Sequence, residues 1–111
     1  MKRPDRIRLQ HMLDAAEEAI GFSEGENRDS LDQDRKLCLS LVRLVEVIGE
    51  AASKVSIETQ NNIINLKWAE IIGMRNRLVH AYYDIDLDVL WETVKQDLPE
   101  LVAKLKDTLK S

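Results

Sequence analysis

Apolar residues recur every three or four positions along most of the chain, which is the spacing of amphipathic helices. Leu9, Leu13, Ala16 and Ile20, with Met12 beside Leu13, form the first stripe. Asp5 is placed to cap this helix, and Gly21 to end it after Ile20. The polar stretch Ser23 to Asn27, with Gly25 inside it, reads as a loop. A second and longer helix is expected from about Ser30 to Lys54, on Leu37, Leu41, Leu44, Ile48, Ala51 and Val55. Val42, Val45, Val47 and Ala52 widen its apolar face, so it should touch more than one neighbour. Gly49 in mid-helix costs about 1 kcal/mol against Ala, which implies close approach of another backbone. Residues 56–66 read as a connection with one helical turn after Ser56. A third helix is expected from Lys67 to Ala81, then an acidic turn at Asp84-Ile85-Asp86. Leu87, Leu90, Val94, Leu98, Leu101, Leu105 and Leu109 carry the period to the end. Pro99 interrupts it. There Asp97-Leu98-Pro99-Glu100 has the residues of a fresh N-terminus, giving one kinked helix or two nearly continuous ones. Helices joined by short links make an all-α bundle of four to five helices.

Composition narrows the classes. A chain of 111 residues, 44% hydrophobic, suits a single domain over residues 1–111 with one core. Sixteen Lys+Arg against twenty Asp+Glu give a net charge of −4. That excludes a chain-wide basic surface for gripping nucleic acid, so no DNA partner is expected, and leaves room for a small local basic site. Cys38 stands alone, which excludes a disulfide framework and a cysteine zinc site and fits the reducing cytoplasm. No apolar run approaches the roughly 18 residues of a membrane span. The N-terminal MKRPDRIRLQ has positive charge without a following apolar stretch, unlike a signal peptide.

The third helix carries the unusual chemistry. With Trp68 at zero and about 100° per residue, Trp68, Ile71, Ile72, Leu78, Val79 and Tyr82 share one stripe. Arg75 falls near the centre of that stripe, at about 340°. A guanidinium there keeps its charge and needs a carboxylate, solvent or a cleft. Glu46 and Glu50 of the second helix are the candidate partners for a plain internal ion pair. Asn76 and His80 are four apart on one flank, with Gly73 beside them. Read blandly, His80 meets terminal carbonyls and Asn76 is a surface amide. Read together, Arg, Asn and His suit a phosphate: Arg for developing negative charge, Asn to orient, His to move protons near neutral pH. Arg75 and His80 lie about 140° apart around a straight helix. Convergence needs Arg75 to reach around, the helix to unwind near His80, or a second subunit to supply the partner set.

Arg75-Asn76-Arg77-Leu78-Val79-His80-Ala81-Tyr82 resembles the R-x4-H-x-Y pattern of HepT-like toxins in the HEPN superfamily. The preceding Trp68 to Met74 and the following Tyr83 to Asp86 are similar too, as are Ile48-Gly49-Glu50-Ala51 and Asp97 to Leu101. The resemblance implies a HEPN-like bundle that forms a two-fold dimer, bringing two motifs into one cleft. It implies the toxin of a type VII-like toxin-antitoxin pair, a metal-independent endoribonuclease acting on RNA without cofactor. In that scheme the substrate's own 2′-hydroxyl attacks phosphorus. His80 is then the general acid or base, Arg75 binds the scissile phosphate, and Asn76 helps position them. The resemblance further implies an MntA-type nucleotidyltransferase antitoxin that places AMP on the motif tyrosine, which by position is Tyr82. Tyr83 stands next door, nearer the Asn-His flank on the helical wheel, and is the second choice.

Other features have plainer readings. Asp84, Asp86 and Asp88 suit helix capping and the N-terminal dipole better than a metal cluster. His11 reads as a surface residue, and Lys104, Lys106, Asp107 and Lys110 as a solvated face. Against the enzyme stands a second class, a non-catalytic helical partner that serves a nucleotidyltransferase; the acidic net charge leans that way. A bundle used only for assembly leaves an Arg on the apolar stripe unexplained.

Overall fold

A computed structural model describes residues 1–80 and 84–110. Those residues are helical almost throughout, as the periodicity predicts. Helix α1 spans Arg3–Ser23, with Pro4 in the first turn, where its missing N–H costs nothing. It runs past Gly21, because Ser23 donates from Oγ to the Ile20 carbonyl (2.8 Å) and Lys95 Nζ donates to the Ser23 carbonyl (3.3 Å). A cation at a helix C-terminus is favourable. Asp5 is not the cap. It lies inside α1, buried, and accepts three bonds from Ser56 and Thr59: Ser56 N–H (2.9 Å), Ser56 Oγ (2.6 Å) and Thr59 Oγ1 (2.6 Å). Gly25 turns the following loop at φ 75°, a conformation that favours glycine.

The expected second helix is two pieces. One turn, α2 (Ser30–Gln33), stops at Asp34. Asp34 adopts extended φ and ψ and caps α3 (Arg35–Ser53), accepting from Leu37 N–H (3.1 Å). Cys38, Leu41, Val45, Ile48 and Ala52 of α3 are fully buried, opposite Leu9, Met12, Ala16 and Ala19 of α1. Ser56 caps the short α4 (Ile57–Asn62), accepting from Thr59 N–H (3.3 Å).

The third helix differs most from expectation. It divides at Gly73 into α5 (Trp68–Ile72) and α6 (Met74–Leu78), and helical geometry ends at Leu78 rather than Ala81. Val79 is extended and pairs with Ile85 in a single antiparallel bridge. His80 N–H donates to the Asp84 carbonyl (2.8 Å) and Asp86 N–H to the Leu78 carbonyl (2.7 Å). The core side is carried by Ile71, Met74 and Leu78, while Ile72 is exposed. The buried line therefore lies about 85° from Trp68 on the wheel, and Arg75 sits on its margin instead of its centre. Gly49 explains the packing. A Cβ there would lie 3.0 Å from the Ile72 carbonyl oxygen and 3.3 Å from that of Ile71. Its lack of a side chain lets α3 and α5 touch backbone to backbone.

Asp86 caps α7 (Leu87–Glu92), accepting from Val89 N–H (3.1 Å). Asp88 pairs with Arg28 (2.7 Å), so of these acids Asp86 caps and Asp88 pairs. A π-helical turn, Thr93–Asp97, then leads without a break into α8 (Leu98–Lys110). Leu98 N–H donates five residues back to Thr93, so Asp97 starts no new helix. The widened turn precedes Pro99, whose ring would crowd the carbonyl four residues before it in a regular helix. Helix α1 packs along α3 on one side and α8 on the other. Lys106, Asp107 and Lys110 are exposed, whereas Lys104 is half-buried beside Glu100 (2.9 Å). No helix among the described residues is long and apolar enough to cross a membrane.

Candidate active site

Helix α6 presents Arg75 beside α3, held there by the Gly49 contact and by Met74 and Leu78 in the core. The Arg75 side chain is 43% exposed, yet its Nε is buried and makes no hydrogen bond. The nearest carboxylate oxygen is Oε2 of Glu46 at 3.6 Å. Of the two expected partners, Glu46 is the one used. Glu50 lies instead 3.8 Å from Arg43, and Arg43 Nη1 donates to the other oxygen of Glu46 at 2.5 Å. Arg43, Glu46, Glu50 and Arg75 thus form one alternating charge network across α3 and α6.

Asn76 and His80 are exposed. Asn76 lies on α6 and gives its backbone N–H to Gly73 (3.0 Å). His80 lies beyond the helix end, its backbone fixed by Asp84. Among the described residues, no hydrogen bond or ion pair joins the side chains of Arg75, Asn76 and His80 to one another. The unwinding after Leu78 means that the ideal-helix separation of Arg75 and His80 does not apply. Tyr82 and Tyr83 lie outside the described residues. Among those residues, no group of three or more His, Cys, Asp or Glu is placed to hold a metal ion. His11 is exposed on α1, remote in sequence from the motif.

A motif whose charged member leans on a carboxylate and whose imidazole stands in solvent can grip an anion and exchange protons. Comparison with known proteins gives the family. The family model described as "Ribonuclease HepT-like" matches residues 12–108. The chain belongs to the HepT-like ribonuclease family. It is 34% identical to "Putative RNase TTE0752" of Caldanaerobacter subterraneus subsp. tengcongensis, over 98% of this chain and 96% of that protein. It is 32% identical to "Probable ribonuclease HepT" of Thermococcus cleftensis, with 96% of each chain covered. "Putative RNase MJ1380" of Methanocaldococcus jannaschii is 30% identical over 95% of this chain and 96% of its own. There is no significant match among solved structures.

Glu46 and Arg43 are the polar neighbours that the motif does not contain. Glu46 is foreseen in the sequence as a partner of Arg75, whereas Arg43, three residues before it and paired to both Glu46 and Glu50, is part of a helix-surface charge pattern that sequence alone leaves without a role.

Proposed function

We propose that this HepT-like chain is the toxin of a type VII-like toxin-antitoxin pair, a metal-independent endoribonuclease with a composite R-x4-H site between two copies. His80 takes a proton from the substrate's 2′-hydroxyl as that oxygen attacks the adjacent phosphorus. Arg75 stabilises the charge that builds on the phosphoryl oxygens, and Asn76 orients the group. His80 of the second copy returns a proton to the departing 5′-oxygen. The products are a 2′,3′-cyclic phosphate and a 5′-hydroxyl, and every proton is accounted for within the cleft.

The observation that carries the reading is the end of helix α6 at Leu78, which leaves His80 on an exposed, backbone-anchored segment directly after the arginine helix. Two exposed apolar residues, Leu39 and Ile72, flank the Arg43–Glu46–Arg75 network in sequence, each one helical turn from it. A second copy covering them would exclude water and bring the two Arg75 guanidiniums toward one cleft. The partner is an MntA-type nucleotidyltransferase that attaches AMP to Tyr82, or to Tyr83. Added negative charge and bulk two or three residues from His80 would fill the anion site.

The first test needs two proteins, wild type and His80→Ala. Each is expressed without antitoxin in a bacterial host, then purified and mixed with total RNA in excess EDTA. Growth arrest and cleavage are expected with wild type only. A second reading, a non-catalytic partner of a nucleotidyltransferase, is favoured by the net charge of −4. Folded wild-type protein that carries no AMP by intact mass and cleaves nothing would decide for it.

A further inference from the structure

The half-buried Arg75 has a divided environment. Its Nε is sealed from water, faces Glu46 at 3.6 Å and bonds nothing, although solvent reaches 43% of the side chain. A buried N–H without an acceptor is costly, and native structures rarely keep one without a use. Glu46 is itself fixed from the other side, its Oε1 taken by Arg43. It cannot swing away without losing that bond. Gly49 one turn on holds α5 against α3 so closely that the two helices have little freedom to slide.

We propose that Glu46 is a positioning residue for Arg75, an inference that rests on the ribonuclease reading. A guanidinium is a planar fork with one edge at Nε and another between its terminal nitrogens. Glu46 takes the inner edge and leaves the outer edge for a phosphate. The present 3.6 Å separation is slightly longer than a hydrogen bond, and it closes when a phosphate draws the guanidinium into line, since such contacts often tighten only with substrate bound. Arg43 offsets the charge of Glu46, so the carboxylate steers Arg75 without repelling the incoming anion. Glu46 touches no substrate in this scheme and acts only through Arg75.

The test uses the full-length chain and a fluorophore-quencher RNA oligonucleotide that wild type cleaves. Glu46→Ala should lower kcat about ten- to hundredfold while KM changes less than about threefold, because a misaligned charge costs most at the transition state. Glu46→Gln, which keeps a carbonyl acceptor, should recover most of kcat. Melting temperature should stay close to wild type in both variants, because Glu46 is partly exposed and makes no hydrogen bond to the Arg75 Nε. The Arg75 Nε–H signal in 1H–15N spectra, assigned by its loss in Arg75→Lys, should shift in Glu46→Ala and exchange faster with solvent. Unchanged kcat in Glu46→Ala, or an Arg75 signal indifferent to it, overturns the proposal. A fall in kcat that Glu46→Gln fails to restore, with the Arg75 signal unmoved, assigns Glu46 a different role and also overturns it. Wild-type protein that cleaves no RNA removes the ribonuclease reading and the positioning role with it, while the spectral comparison still reports whether the pair exists.

Discussion

An arginine that leaves its own Nε unbonded is a poor choice for stability. Replacing a buried orphan polar group by an apolar one of similar length is neutral or favourable. Arg75→Met should therefore melt within a few degrees of wild type, or above it, while losing cleavage. A large drop in melting temperature would show that Arg75 is a structural ion pair first. His80 is exposed and bonded through its backbone only, so His80→Ala should keep the wild-type melting curve and lose cleavage of total RNA. Asp5 belongs to the opposite class. Hydrogen bonds from the Ser56 hydroxyl first, then from Thr59 and the Ser56 N–H, lower its pKa from 3.8 to about 2. A carboxylate depressed in the folded state stabilises above its unfolded pKa, and that contribution disappears as pH falls from about 4 toward 2. Asp5→Ala should cost about 2–4 kcal/mol in urea unfolding at pH 6 and flatten the acid loss seen in wild type. In the sequence Arg75 draws notice because a charge falls among apolar positions, while Asn76 and His80 are singled out only by their shared flank and by the motif they complete. Asp5 is legible only as a polar residue near a helix start. Its partners lie about fifty positions away, and nothing local announces them.

At the scale of elements, one glycine decides a crossing. Gly49 invites substitution on helix propensity alone, where Ala gains about 1 kcal/mol. The Ile72 carbonyl, 3.0 Å from where a methyl would sit, says otherwise, because a backbone atom cannot rotate away. Gly49→Val should destabilise by about 1–3 kcal/mol in denaturant titration and disturb the arginine helix with it. Stability equal to wild type would mean that α3 and α5 separate easily. This close approach is legible in the sequence, since a glycine inside a strong helix needs a reason. The break at Gly73 and the stop at Leu78 are not. Periodicity continues through both, and only the pairing of Val79 with Ile85, six residues on, draws the chain out of the helix. The π turn at Thr93–Asp97 is hidden for a similar reason: Pro99 signals a disturbance, while how the ladder absorbs it depends on packing against α1.

For the whole molecule, the all-α architecture is readable from periodicity alone, and the family from the extended string around Arg75. The second copy is the element that a single chain leaves open. Light scattering should find a dimer at micromolar concentration, and cleavage per chain should fall on dilution below the dissociation constant. A stable monomer with undiminished activity would place the whole site within one chain.

Cys38 has a use unconnected with any of this. It is the chain's one cysteine, has no exposed surface, and burial raises its thiol pKa. Thiol reagents can meet it only when α3 leaves the core. Its labelling rate is then a clock for opening of the α1–α3 core, readable by mass in dilute, native buffer. Ligands, variants and acid can all be ranked on that clock, without denaturant and without an RNA substrate.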